Sequence, residues 1–170
     1  MISAVIPALH PVPALVDTLT ALVPAVAEGL IRDVVIVAQA ETPFLSAVTE
    51  AGGSGLIIVP GERSTLIRTA AAQIKCPHVL VLAPGMVPLG DWIATLSDAL
   101  AAIEGRKAGL LPVQGAPWLT WIAQLSGQAD ERLGLIASAT ALSNGERLNY
   151  AKIDAMLADR RKRGLRPAAG

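Results

Sequence analysis

Apolar residues along this chain follow two alternating patterns. Short continuous runs are followed by longer stretches in which apolar positions recur every three or four residues. The run at 2–7, rich in β-branched residues and closed by Pro7, predicts a buried strand. Pro13 suits the first turn of a helix. Leu15, Leu19, Leu22 and Val26 then follow at helical spacing, with Asp17, Thr18 and Thr20 outside. Pro24 is expected to kink or end that helix. Residues 33–38, Asp-Val-Val-Ile-Val-Ala, read as the clearest strand. An unbroken apolar run of this kind belongs to a parallel sheet covered on both faces.

The alternation continues. Residues 42–51 predict a short helix with Thr42 as its cap and Pro43 at its first position. Gly52, Gly53 and Gly55 break the chain before a third strand at 56–59. Pro60 and Gly61 make a turn into a helix at 62–75, and 79–83 is a fourth strand. A helix is expected over 88–104 with Trp92, Leu96 and Leu100 on one face. Beyond it come a strand at 108–113, a helix at 116–125, a short apolar run at 133–137 and a final helix over 150–163. Strand and helix in turn, with short connections, predict an α/β fold: three α/β/α layers around a mostly parallel central sheet.

Composition sharpens this picture. At 170 residues one domain is expected, 1–170, with a first half at 1–105 and a less readable second half at 106–170. Hydrophobic residues make up 52% and aromatics 3%, so the core is aliphatic; charged residues are scarce at 16%. One cysteine, Cys76, excludes an intramolecular disulfide and fits a cytoplasmic setting. A buried, inert thiol is the expectation for it. With two histidines besides, a Cys/His zinc cluster is excluded. The N-terminus does not read as a signal peptide, and no apolar stretch reaches the roughly 18 residues of a membrane span.

Net charge is zero but unevenly placed. All 14 acidic residues precede position 160, whereas Arg160, Arg161, Lys162, Arg163 and Arg166 crowd the end. That segment is expected to be a solvated terminus, the alternative being a weak membrane-surface contact or a nucleic-acid contact. No nucleic-acid partner is expected. Trp118 and Trp121, with Leu119, Ile122 and Leu125, form a stripe expected to pack in the core. A homodimer or membrane-surface contact is the alternative.

Ligands of open α/β sheets sit beyond the carboxyl ends of the strands. Here the chain resembles a family 2 glycosyltransferase of the GT-A, nucleotide-diphospho-sugar transferase (Rossmann-like) fold. Ser3-Ala-Val-Ile-Pro7-Ala8-Leu9-His10 is similar to the family's first strand and loop, Ser-Val-Val-Ile-Pro-Thr-x-Asn. Residues 29–37, 61–77 and 79–82, with Pro88, Gly90 and Trp92, match later landmarks over roughly the first three-fifths of the chain. The resemblance implies a transferase that binds a nucleotide-sugar.

It is a degenerate resemblance. Where the family has an Asp for the nucleobase, this chain has Ala38, leaving Gln39 and Glu41 as nearby polar groups. The family's Arg-Asn pair is matched by Ile67 and Arg68, and its metal-binding Asp-x-Asp by Ala83, Pro84 and Gly85. Asp-x-Asp supplies hard oxygens to Mg²⁺ or Mn²⁺, which neutralises the leaving diphosphate. Ala and Gly supply none, so a metal would need other ligands. The family's base has as its nearest acidic counterpart the pair Asp130 and Glu131, which read equally as solvated surface.

The resemblance therefore implies a glycosyltransferase-like protein whose transferase activity is weak or lost. The alternative is a non-catalytic GT-A domain serving dimerisation or partner binding. A second alternative, resting on Val59-Pro60-Gly61-Glu62-Arg63-Ser64, is a cytidylyltransferase-like protein, though residues 8–13 lack the glycine-rich basic loop that would hold a triphosphate.

The candidate nucleotide-binding positions are Pro7, Ala8, His10, Gln39, Glu41, Arg63, Arg68, Ala83 and Gly85. His10 could act as donor or base, or stand exposed; His78 reads as structural. Arg63 could meet a phosphate. Spaced at i and i+5, Arg63 and Arg68 are not expected to share a face. No catalytic residue and no metal ligand is assigned. A cleft lined by His10, Gln39, Glu41 and Arg63 would favour binding. One filled by Leu9, Met86 or the C-terminal segment would oppose it.

Overall fold

The computed structural model describes residues 1–9, 13–116, 118–126, 128 and 133–160. Its elements follow in the order β1 (Ile2–Ala8), α1 (Leu15–Ala27), β2 (Ile31–Ala38), α2 (Pro43–Gly52), β3 (Gly55–Ile58), α3 (Arg63–Gln73) and β4 (His78–Val81). Then come β5 (Met86–Leu89), α4 (Trp92–Ala102), β6 (Lys107–Leu111), α5 (Trp118–Ser126), β7 (Gly134–Ser138), α6 (Ala139–Ser143), β8 (Asn149–Lys152) and β9 (Met156–Asp159).

Seven strands form one sheet in the order β3-β2-β1-β4-β7-β6-β8. Pairing is parallel except along β7, which runs antiparallel to both β4 and β6. The mostly parallel sheet explains the unbroken apolar runs. In β1, Ala4, Ile6 and Ala8 join the core with α1, α2 and α4, while Val5 joins the core with α3, α5 and α6. β1 is thus sealed on both faces, whereas the edge strands β3 and β8 stay partly exposed.

Local chemistry sets the boundaries. Thr42 caps α2 as expected: its hydroxyl accepts from the Leu45 N–H at 3.2 Å, and Gly53 closes the helix in the left-handed region at φ 60°. Pro24 does not end α1, which continues to Ala27 and lets Glu28 donate back to the Pro24 carbonyl at 2.9 Å.

Several expectations need correction. Thr18, expected outside the apolar face of α1, is fully buried, and of the stripe expected in the core Trp118, Trp121, Ile122 and Leu125 are exposed. The helix predicted from residue 88 begins at Trp92, because 86–89 form β5. The final helix predicted over 150–163 is instead β8 and β9 as far as residue 160; its last three positions lie outside the described residues. Ile153, Ala155 and Leu157 are buried while Lys152, Asp154 and Met156 are exposed. That is a two-residue period, the mark of a strand. β9 returns to pair antiparallel with β5 in a small second sheet.

Candidate functional site

The carboxyl ends of β1, β2 and β3 are level, with Ala8 opposite Ala38 and Ala38 opposite Ile58. β4 ends beside them, Val81 pairing with Val5 and the Leu82 N–H donating to the Val5 carbonyl at 3.1 Å. This shared edge is where the fold would present a ligand.

The turn after β4 is the decisive part of that edge. The Met86 N–H donates to the Ala83 carbonyl at 3.0 Å, and Gly85 has φ 85°. Proline at the second position and a positive-φ glycine at the third make a type II turn. Every residue from Val79 to Pro88 is buried. Thr18 of α1, fully buried, accepts the Gly85 N–H at 2.8 Å. From the other side the Arg160 N–H donates to the Gly85 carbonyl at 2.8 Å, just past β9. Met86 is fully buried beneath these elements. The corner of the edge is therefore packed core, stapled by α1 and by the chain that follows β9.

This staple is testable. Thr18→Val keeps the shape but leaves the buried Gly85 N–H without its acceptor, which costs about 1–3 kcal/mol. Urea denaturation should show that loss, while Thr18→Ser, which keeps the hydroxyl, should stay much nearer wild type. Equal stability of the Val and Ser variants would refute the role of the hydrogen bond.

The polar candidates are engaged locally. Gln39, exposed past the end of β2, donates through Nε2 to the Gly61 carbonyl at 2.7 Å and so ties two loops of the edge together. Glu41 accepts from the Ser46 hydroxyl at 2.8 Å, against the first turns of α2. Pro7 and Ala8 are buried in β1. His10 lies outside the described residues, as do Asp130, Glu131 and the basic positions beyond Arg160. His78 sits with Nε2 3.2 Å from the Ile103 carbonyl, and Cys76 is buried and free.

Arg63 and Arg68 do come together, contrary to the spacing argument. Both line a groove of about 530 Å³ with Glu62, Ser64, Leu142 and Tyr150. α6 packs against α3 here, and the Arg68 guanidinium lies over Gly145, where a Cβ would stand 3.2 Å from Cζ. The second half of the chain thus builds a wall that gathers two residues from successive turns of α3. Neither Ala83 nor Gly85 lines this groove.

Among the described residues, no three His, Cys, Asp or Glu side chains stand close enough to hold a metal ion. The turn at 83–86 has no side-chain oxygen, and Ala83 and Met86 are buried in it. The residues present do not fit a divalent metal bound as Asp-x-Asp would bind it. No helix among the described residues is long and apolar enough to cross a membrane.

No protein-family model matches the sequence, and no curated protein sequence matches it. Solved structures do. Glucosyl-3-phosphoglycerate synthase from Mycobacterium tuberculosis, in complex with Mn²⁺, UDP and glucosyl-3-phosphoglycerate, superposes with a TM-score of 0.65 at 14% identity, over 98% of this chain and 73% of that one. The chain has the fold of this synthase. The same enzyme with Mn²⁺, UDP and phosphoglyceric acid gives 0.65 at 15% identity, over 98% and 72%. A further mycobacterial protein gives 0.63 at 14%, over 90% and 64%. The architecture is that of GT-A nucleotide-sugar transferases, a likeness of fold.

Proposed function

We propose that this is a glycosyltransferase-like binding protein. It takes a nucleotide or nucleotide-sugar without a bridging metal, and metal-dependent glycosyl transfer has been lost. The observation that carries this reading is the turn at 83–86. It stands where the resemblance in sequence aligns the metal-binding Asp-x-Asp, carries no carboxylate, and is buried between Thr18 and the Arg160 backbone. The neighbours of this fold that were solved with UDP and Mn²⁺ supply the ligand class. Arg63 and Arg68 of α3, which line one groove with Glu62 and Glu146, are the guanidinium groups offered to a phosphate.

Calorimetric titration with UDP, GDP, CDP, CTP and UDP-sugars, each with and without Mn²⁺, tests both halves. One nucleotide is expected to bind equally well with or without Mn²⁺, and Arg68→Gln should weaken it by roughly tenfold or more. Mn²⁺-dependent binding with turnover of the sugar would overturn the loss of transfer. A flat panel would overturn nucleotide binding. It would leave a domain serving dimerisation or partner binding, a reading favoured by one observation, the apolar face that α5 turns to solvent.

A further inference from the structure

The two edges of the seven-stranded sheet are built differently. β8 is guarded. Lys152 stands on it, Lys107 on the strand beside it, and Gln124 of α5 donates through Nε2 to the Tyr150 carbonyl at 3.4 Å. Charge on an edge strand, or cover from a neighbouring element, keeps other chains from pairing with it. β3, at the other edge, carries no such charge: residues 51–61 contain no charged side chain. Among the described residues it pairs with β2 alone. Its strand, Gly55-Leu56-Ile57-Ile58, holds no proline, and its pairing with β2 runs without a bulge. Ile58 is 41% exposed.

We propose that β3 pairs with the β3 of a second copy of this chain, antiparallel about a two-fold axis at Ile57, so that the two sheets run on as one. Backbone direction fixes the pairing. The Val59 N–H donates to the Ala38 carbonyl at 2.9 Å, so the Val59 backbone faces β2. Alternation turns the Gly55 and Ile57 backbones the same way, and those of Leu56 and Ile58 outward. Donors run out on either side of these two. The Ser54 N–H already donates to the Thr49 carbonyl at 3.1 Å, and Pro60 has no N–H. With Ile57 opposite its own copy, Leu56 stands opposite the partner's Ile58. Each such pair exchanges two N–H···O=C bonds, and the two pairs use every outward N–H and C=O of Leu56 and Ile58 on both strands.

The occupant follows from the same features. A row of outward N–H and C=O groups selects an extended strand, which alone meets them in step. A second copy brings such a strand already formed on its own sheet, so little ordering opposes the pairing. The edge is complementary to itself in hydrogen bonding, and with no charge on the strand the two-fold contact sets no like charges opposite each other. Apolar side chains meet instead, Leu56 beside Ile58 on one face of the joined sheet and Ile57 beside its copy on the other. The contact is also closed: the same patch meets itself, and the edges left at the two ends are the guarded β8 strands. Because β3 is only four residues long, the dimer is weak and depends on concentration.

Sedimentation velocity of the full chain over a range of concentrations reads the association. The mass should rise from that of one chain towards that of two, and the Leu56 and Ile58 amides should exchange with solvent more slowly at the high end. Ile58→Pro removes an outward N–H and leaves the ladder to β2 intact. Symmetry counts that loss twice, so the dimer should weaken roughly tenfold or more. Ile58→Lys makes the same test without touching the backbone, by placing a charge in the contact. Since Ile58 is exposed in the single chain, this variant should keep the wild-type melting temperature at low concentration. Three results would overturn the proposal: the mass of one chain at every concentration, a dimer indifferent to both variants, or a dimer dissociated by Trp121→Ser, Leu125→Ser in α5 instead.

Discussion

Ala83→Asp is expected to destabilise the fold by several kcal/mol, on the order of 3, and to create no Mn²⁺-dependent affinity for UDP. The substitution restores the first carboxylate of the family's metal motif, so naive sequence repair would predict the reverse. The structure gives the sign. Ala83 is 5% exposed, and the backbone N–H groups of its own turn are not available to a carboxylate placed there. The Gly85 N–H is taken by Thr18, the Met86 N–H by the Ala83 carbonyl, and Pro84 has none. Urea denaturation with and without Mn²⁺ decides the matter. Near-wild-type stability that rises with Mn²⁺ would show metal binding by linkage and would mean that the corner can still open.

Gly109→Ala carries the second large effect, about 2 kcal/mol of destabilisation. Added methyls at glycine in a strand ordinarily help by limiting the unfolded chain. Gly109 is buried in β6, and a Cβ there would meet the Ile153 Cδ1, stand 2.7 Å from the Ile153 Cγ1, and stand 2.8 Å from the Ile136 Cγ2. Ile136 is fully buried in β7 and its branched Cβ leaves it little freedom to move. The sheet requires the hydrogen atom because Ile153, one residue beyond β8, crosses directly over it. Chemical denaturation of Gly109→Ala, Ile153→Ala and the double variant should show positive coupling, the second change relieving part of the first. Additive losses would refute the steric account.

The first half of the chain was readable because its signals are local. The continuous apolar runs at β1, β2 and β4 reflect a sheet covered on both faces, and Thr42 and Pro43 mark the start of α2 by backbone chemistry alone. The lack of carboxylates at 83–85 is equally a property of the sequence. The second half misled where pattern and partner are far apart. Residues 152–157 alternate between exposed and buried, but β9, which begins at Met156, is stabilised by β5, about seventy positions earlier in the chain. The stripe at 118–125 is apolar on both faces of its helix, so its spacing fits burial and exposure equally well.

The candidate site divides in the same way. Residue identity alone determined that the turn after β4 offers no side-chain oxygen, since no fold can give Ala83 or Gly85 a carboxylate. Only the tertiary structure decided that this corner is sealed, by Thr18 from α1 and by the backbone of Arg160 from beyond β9. Only the packing of α6 on α3 brought Arg63 and Arg68 to one groove. Local patterns specify elements and the chemistry that side chains can offer. Which groups meet, and which face water, depends on long-range packing that no single segment encodes.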